Sequence, residues 1–235
     1  MRTAKTVLTV IQERGKQKKP IERVYKLLFN RELYLNAYAK LYPNNGAMTK
    51  GVTDETVDGM SIQKIDRMIE ILREEKYQWK PARREYIKKK NGKKRPLGIP
   101  VWGDKVLQEV MRQILEAYYE PQFSEHSHGF RPNRGCHTAL QEIQVWKGTR
   151  WFIEGDISQY FDTIDHKILL EILARNIHDG RFIRLVSNML EAGYLEEWKF
   201  NQTISGVPQG GVISPILANI CLLYTSPSPR DMRRS

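Results

Sequence analysis

Cysteine is nearly missing from this 235-residue chain: Cys136 and Cys221 stand alone, with no second Cys or His at ligand spacing. That excludes a disulfide framework and a zinc knuckle and suits a reducing cytoplasm. No apolar signal core follows Met1, and the most apolar stretch, residues 212 to 224, is interrupted by Ser214, Pro215 and Asn219. Neither secretion nor a membrane span is therefore expected. There is no Gly-x-x-x-x-Gly-Lys-Ser/Thr loop and no dinucleotide fingerprint, which removes the commonest nucleotide-binding enzymes. No Asp-Asp dipeptide occurs anywhere. Acidic side chains are also scarce, 27 Asp and Glu against 38 Lys and Arg, leaving a formal charge of +11. The excess is concentrated in residues 80 to 95, which hold nine cations and Glu85 as the lone anion. Such a run is either a footprint for polyanions or a solvated face. The 40% apolar content suffices for one sizeable core, in one or two domains.

Apolar periodicity predicts a largely helical first forty residues, with Ile21, Val24, Tyr25, Leu28, Leu35 and Leu41 at helical spacing. Residues 43 to 60 carry three glycines and many short polar side chains, the composition of a loop whose backbone can approach another chain closely. Ser61 is placed to cap a helix with an Ile62, Ile65, Met68, Ile69 and Leu72 stripe. Asn91-Gly92 between two extended runs predicts a hairpin over 84 to 100. The basic run then becomes a two-stranded finger. Asp104 is expected to cap a long helix containing Val106, Leu107, Val110, Ile114 and Leu115, and residues 135 to 147 a further one. Trp151 to Ile157 reads as a buried strand, Asp165 as the cap of a helix through Ile168 to Leu173, and 194 to 205 as an antiparallel pair. The fold class is α+β.

Nucleotidyl transfer employs two magnesium ions about 4 Å apart, bridged by carboxylates on rigid elements. Asp156 at the end of an apolar strand suits such a ligand, and the Ile157 carbonyl suits a second. An ordinary capping Asp is the competing reading. Glu154 shares the strand face of Asp156 by the two-residue period, and Asp162 and Asp165 read as turn and N-cap residues.

From about residue 20 to 221, in collinear order, the chain resembles the N-terminal part of group II intron-encoded reverse transcriptases, also called maturases. The similarity rests on Trp151-Phe-Ile-Glu-Gly-Asp156-Ile-Ser-Gln-Tyr-Phe161-Asp, on Ser205-Gly-Val-Pro-Gln209-Gly-Gly-Val-Ile-Ser-Pro-Ile-Leu-Ala-Asn219, on the hairpin, and on Ser127-His-Gly-Phe-Arg131-Pro. It implies a right-hand polymerase fold: a helical N-terminal extension over 1–78 with a template-side loop at 43–60, fingers over 79–150, and an incomplete palm over 151–221. Asp156 matches the first catalytic metal ligand. Phe161 matches the aromatic gate that excludes a ribose 2′ hydroxyl. Lys89 and Arg95 match the grip on the incoming triphosphate, and Gln209 with Gly210 the segment against the nascent base pair. Lys88, Lys90, Lys93 and Lys94 fit general backbone contacts. Arg131 fits either a template-phosphate contact or an internal salt bridge. Thr53 stands where the pattern commonly has Asp.

What the resemblance implies functionally is RNA-directed DNA synthesis with Mg2+, dNTPs, an RNA template and a DNA primer. It also implies binding of group II intron RNA to assist splicing, within a cytoplasmic bacterial ribonucleoprotein. A non-catalytic splicing maturase is one alternative; a retron, diversity-generating or CRISPR-associated reverse transcriptase is another. The pattern's Tyr-Ala-Asp-Asp turn is not in the sequence, so the chain as given is expected not to polymerise. Residues 222–235, with Ser-Pro-Ser-Pro, resemble translated sequencing-adapter read-through and are expected to be non-native. Without their three Arg and one Asp the charge falls from +11 to +9.

Overall fold

The computed structural model describes residues 2–88, 92, 94–207 and 210–225. The chain opens with α1 (Ala4–Lys16), capped by the Thr3 hydroxyl, which accepts from the Thr6 N–H. A two-residue strand β1 (Ile21–Glu22) and a 3-10 turn (Val24–Phe29) lead into α2 (Arg31–Leu41). So the expected helical character of the first forty residues holds, with an extended break at Ile21. α3 (Ile62–Arg73) carries the predicted Ser61 cap, its hydroxyl accepting from Lys64 N. β2 (Ala82–Lys88) and β3 (Lys94–Ile99) form the predicted hairpin, antiparallel with Tyr86 opposite Pro96 and Lys88 opposite Lys94.

α4 (Trp102–Tyr119) is the central element, with Val106, Leu107, Val110, Met111, Ile114, Leu115 and Tyr118 fully buried among α1, α2 and the last helix. A helix buried on nearly every side must satisfy its polar side chains internally. Lys105 donates to the Gly46 and Thr49 carbonyls, and Glu109 pairs with Arg112. Asp104 departs from the expected cap. Helix α4 starts two residues earlier behind Val101, and Asp104 lies buried in its first turn, accepting from Tyr77 Oη at 2.6 Å and Lys80 N at 3.0 Å. The carboxylate serves the incoming chain at 77–80 instead of the helix's own N–H groups. Burial pushes its pKa up to about 6.

α5 (Cys136–Gln144) and the single turn α6 (Tyr160–Thr163) precede α7 (His166–Asn176), which Asp165 caps as expected, accepting from Ile168 N at 3.0 Å. β4 (Ile177–His178) pairs in parallel with β1, and α8 (Gly180–Leu190) follows. β5 (Tyr194–Glu196) and β6 (Lys199–Asn201) make the expected antiparallel pair. β5 also adds in parallel to β2, giving a four-stranded sheet in the order β3-β2-β5-β6. α9 (Ser214–Thr225) closes the described chain; its Tyr224 hydroxyl bonds Asn176 Nδ2 at 2.6 Å. The helix thus continues to Thr225, past the break expected at Leu222, and residues 226–235 lie outside the described residues.

One expectation fails outright. Residues 151–157 form no strand: they are irregular and unpaired, with Trp151 87% and Ile153 94% exposed. A strand rich in apolar side chains needs a hydrogen-bonded neighbour and cover on both faces. Among the described residues no strand lies beside this segment.

Candidate nucleotide and nucleic-acid site

Two glycines assemble the site. Gly206 has φ +84, and a Cβ there would sit 2.8 Å from the Phe161 carbonyl oxygen and 2.9 Å from Asp162 Cα. This close approach is locked by two backbone bonds, Val207 N to Phe161 O and Gly206 N to Ile164 O, each 2.8 Å. His166 Nε2 donates to the Gly206 carbonyl at 2.7 Å from the other side. The Phe161 turn and the Ser205-Gly-Val segment are therefore one clasp. Gly210, with φ +105, performs the second approach: a Cβ would lie 2.6 Å from the Gly98 carbonyl oxygen and 2.7 Å from Leu97 Cδ1. The segment that enters α9 is pressed against hairpin strand β3. Backbone at these φ values disfavours any side chain.

Phe161 is partly buried, edge-on to Phe130 at 6.3 Å and to Tyr160 at 6.0 Å. Both neighbours are anchored to α9 or its loop: Tyr160 Oη donates to the Ala218 carbonyl at 2.8 Å, and Asn219 Nδ2 donates to the Gly129 carbonyl at 2.9 Å. Burial pushes the Tyr160 phenol up, keeping it a neutral donor. The ring at 161 thus has two edge-on neighbours, Phe130 and Tyr160, whose surroundings are tied to α9.

Asp156 and Ile157 are exposed on the unpaired segment. Among the described residues no group of three or more His, Cys, Asp or Glu is arranged to hold a metal ion. The described residues do not amount to a two-metal centre. Arg95 is exposed on β3, and the strand register puts it on the same face as Arg83, Glu85 and Ile87. Lys88 and Lys94 are exposed on the opposite face. Lys89, Lys90, Lys93 and Gln209 lie outside the described residues.

Arg131 is internal. All three guanidinium nitrogens donate within the protein, to the Glu120 carboxylate at 2.9 to 3.2 Å and to the Ser124 and Ser127 carbonyls, and the residue is buried. Of its two readings, the geometry is that of the internal brace, holding the 124–131 loop against the end of α4.

The loop at 43–60 is held by residues that sequence reasoning missed. Arg83 donates to the Lys50 carbonyl through Nε and Nη2 at 3.1 and 2.9 Å, and Lys105 reaches the Gly46 and Thr49 carbonyls. Gly51 lies so close to Pro100 and Val101 that a Cβ would come within 2.9 Å of their backbone. Residues 46–51 are consequently fastened to the hairpin base and to the start of α4. A parity count along β2 separates Arg83 from Lys88, but no sequence signal names a backbone carbonyl as the partner.

The sequence profile described as "Reverse transcriptase (RNA-dependent DNA polymerase)" matches residues 87–231. Among curated proteins the chain is similar to the group II intron-encoded protein LtrA of Lactococcus lactis subsp. cremoris. The identity is 51% over 202 residues, covering 85% of this chain and 34% of that protein. It is also similar to an uncharacterized 91 kDa protein in the cob intron of Schizosaccharomyces pombe, 47% identical over 93% of this chain and 28% of the other. The chain spans about a third of the length of these relatives. Among solved structures, a chain of the partial Cas6-RT-Cas1–Cas2 complex shares the fold, with TM-score 0.56 and 20% identity over 85% of this chain and 34% of that one. The chain belongs to the reverse transcriptase (RNA-dependent DNA polymerase) family.

Proposed function

We propose that this chain is the fingers and part of the palm of an RNA-directed DNA polymerase that also binds its group II intron RNA to assist splicing. The observation that carries the reading is the double clasp. Gly206 fastens the Phe161 turn, and Gly210 fastens the basic hairpin, to one segment, 205–212. In this reading that segment is the floor of a nucleotide pocket. Phe161 lies under the sugar, where a rigid ring leaves room for hydrogen and not for a 2′ hydroxyl. Gln209 and Gly210 lie against the base pair. Lys89 and Arg95 hold the triphosphate, a point charge and a planar fork suited to it. Lys88, Lys90, Lys93 and Lys94 meet nucleic-acid backbone, and Arg131 acts indirectly by bracing its loop.

The reverse transcriptase family uses divalent metal ions; here Asp156 and the Ile157 carbonyl are the groups we assign to magnesium. One carboxylate and one carbonyl do not supply the ligands that a two-ion centre needs. The chain as given therefore binds RNA template, DNA primer and intron RNA without extending the primer, as part of a cytoplasmic ribonucleoprotein. No helix among the described residues is long and apolar enough to cross a membrane.

The test is a salt titration of binding to a labelled RNA–DNA primer-template, run beside a magnesium-dependent extension assay. Affinity should fall linearly on a log-log plot, with a slope of about −0.7 to −0.9 per phosphate neutralised. Replacing Arg95 with Gln should make the slope shallower. Salt-independent binding refutes the basic-finger assignment, and extension by this chain alone refutes the incomplete metal site.

A further inference from the structure

The four-stranded sheet has two unlike faces. Its register puts Ala82, Arg84, Tyr86 and Lys88 of β2 on one face with Gly98, Pro96 and Lys94 of β3. Tyr194 and Glu196 of β5 and Lys199 and Asn201 of β6 continue the same face. Side-chain contacts agree: the Arg84 guanidinium lies 3.4 Å from the Tyr194 ring centroid, and Tyr86 Oη bonds the Glu196 carboxylate. This face presents two tyrosines and four cations, and its one carboxylate is occupied by a phenol. The other face carries Arg83, Glu85, Ile87, Arg95, Leu97, Leu195 and Phe200, and there Arg83 is spent on Glu85 and the Lys50 carbonyl.

A cavity of about 370 Å³ opens beside the Arg84–Tyr194 stack, lined also by Asp162, Gln202, Thr203 and Ser205. Its rim offers carboxylate, amide and hydroxyl groups, the mixture that reads a nucleobase edge better than a bare phosphate, which Asp162 repels. Arg84 Nε is buried and has no hydrogen-bond partner among the described residues. An orphaned charged donor is costly, and a base or ribose oxygen entering the cavity would satisfy it after a small rotation of the side chain. Tyr86 is 46% exposed on the same sheet face, where Lys88, Lys94 and Lys199 are exposed as well.

We propose that this face binds single-stranded RNA, one base entering the cavity at the Arg84–Tyr194 stack, a neighbouring base on Tyr86, and phosphates on Lys88, Lys94 and Lys199. The combination of ring platforms with a cationic surround is how single strands are held without sequence readout. The sheet face is the one opposite Arg95, whereas the cavity shares Ser205, Gly206 and Val207 with the floor of the nucleotide pocket, so a base held there abuts that pocket. This proposal rests on the RNA-binding reading above.

The test measures fluorescence anisotropy of a uridine-rich single-stranded RNA and of an RNA–DNA primer-template duplex on the full chain. Tyr86→Ala, Arg84→Gln and Lys199→Gln are compared with the unsubstituted protein, and 4-thiouridine crosslinks are mapped. Tyr86→Ala and Arg84→Gln should each weaken single-strand binding about tenfold, the scale of losing one base stack. Lys199→Gln should make the salt slope shallower. Crosslinks should fall on peptides containing Tyr86 and Tyr194. Tyr86 and Lys199 are surface residues, so their substitution leaves the fold intact even if Arg84→Gln does not. Unchanged single-strand affinity in Tyr86→Ala and Lys199→Gln, or crosslinks confined to 43–60, overturns the assignment while duplex binding keeps the polymerase reading alive. If the unsubstituted chain binds neither RNA, both readings fall together.

Discussion

Replacing Gly210 with Ala tests whether the hairpin is truly clamped to the entrance of α9. Two costs add. The backbone at φ +105 is outside the ordinary left-handed well for a residue with Cβ, a strain of about 1 to 3 kcal/mol. The new methyl would also meet the Gly98 carbonyl oxygen at 2.6 Å and Leu97 Cδ1 at 2.7 Å. The leucine can swing away, but the carbonyl belongs to a strand already paired with Arg84 across the hairpin, so overpacking adds about 1 to 3 kcal/mol. The total, about 2 to 6 kcal/mol, lowers Tm by about 4 to 24 °C for a chain of this size. Gly92→Ala is the matched control. It has φ +77 and open space around its Cβ position, and so carries strain without crowding and should lose about 1 kcal/mol. Calorimetry of the two variants decides the matter: equal losses would mean that the approach of Gly210 to β3 contributes nothing, and the clasp argument would fail.

Two further outcomes follow from buried charges. Asp104 has a folded pKa of about 6 against an ordinary carboxylate value near 4 in the unfolded chain. Between those values the folded state holds more protons, so stability is greatest below about pH 4 and falls as pH rises through about 6, by about 2 to 3 kcal/mol. Urea unfolding across that range should show the decline in the unsubstituted protein and lack it in Asp104→Asn; a flat profile in both refutes it. Arg131→Gln leaves the partly exposed Glu120 without its fork and should cost about 3 kcal/mol, with RNA affinity below the melting range unchanged. A loss of affinity without a loss of stability would instead assign Arg131 to the RNA.

The elements that were legible in the sequence are those whose signals are local. Ser61 and Asp165 cap where they are expected because a cap needs only the next three residues. The hairpin follows from Asn-Gly between extended runs. Asp104 misled for the same local reason. Two residues ahead of an apolar stripe it has the spacing of a cap, yet its partners, Tyr77 and Lys80, arrive from a segment more than twenty residues earlier. Long-range partners leave no periodicity behind.

The site was legible as a set of residues and illegible as an arrangement. Asp156 and Phe161 are named by their motif, but the motif also suggested a buried strand beneath Asp156, and strand formation depends on a neighbour supplied from elsewhere. Where that neighbour is not among the described residues, Trp151, Phe152 and Ile153 stay in solvent although their β propensity is high. Phe161 is different, because its fixation comes from Gly206, His166 and Phe130, all present. On the proposed reading, the gate residue Phe161 is therefore preorganised and the proposed metal ligand Asp156 is not. In that reading the order of assembly is set: the turn that holds Phe161 forms with α9, whereas Asp156 becomes rigid only when a strand pairs with residues 151–157. A spin label at residue 157 should accordingly report fast motion in this chain while one at residue 163 reports slow motion. Equal mobility at the two positions would show that Asp156 needs no such partner.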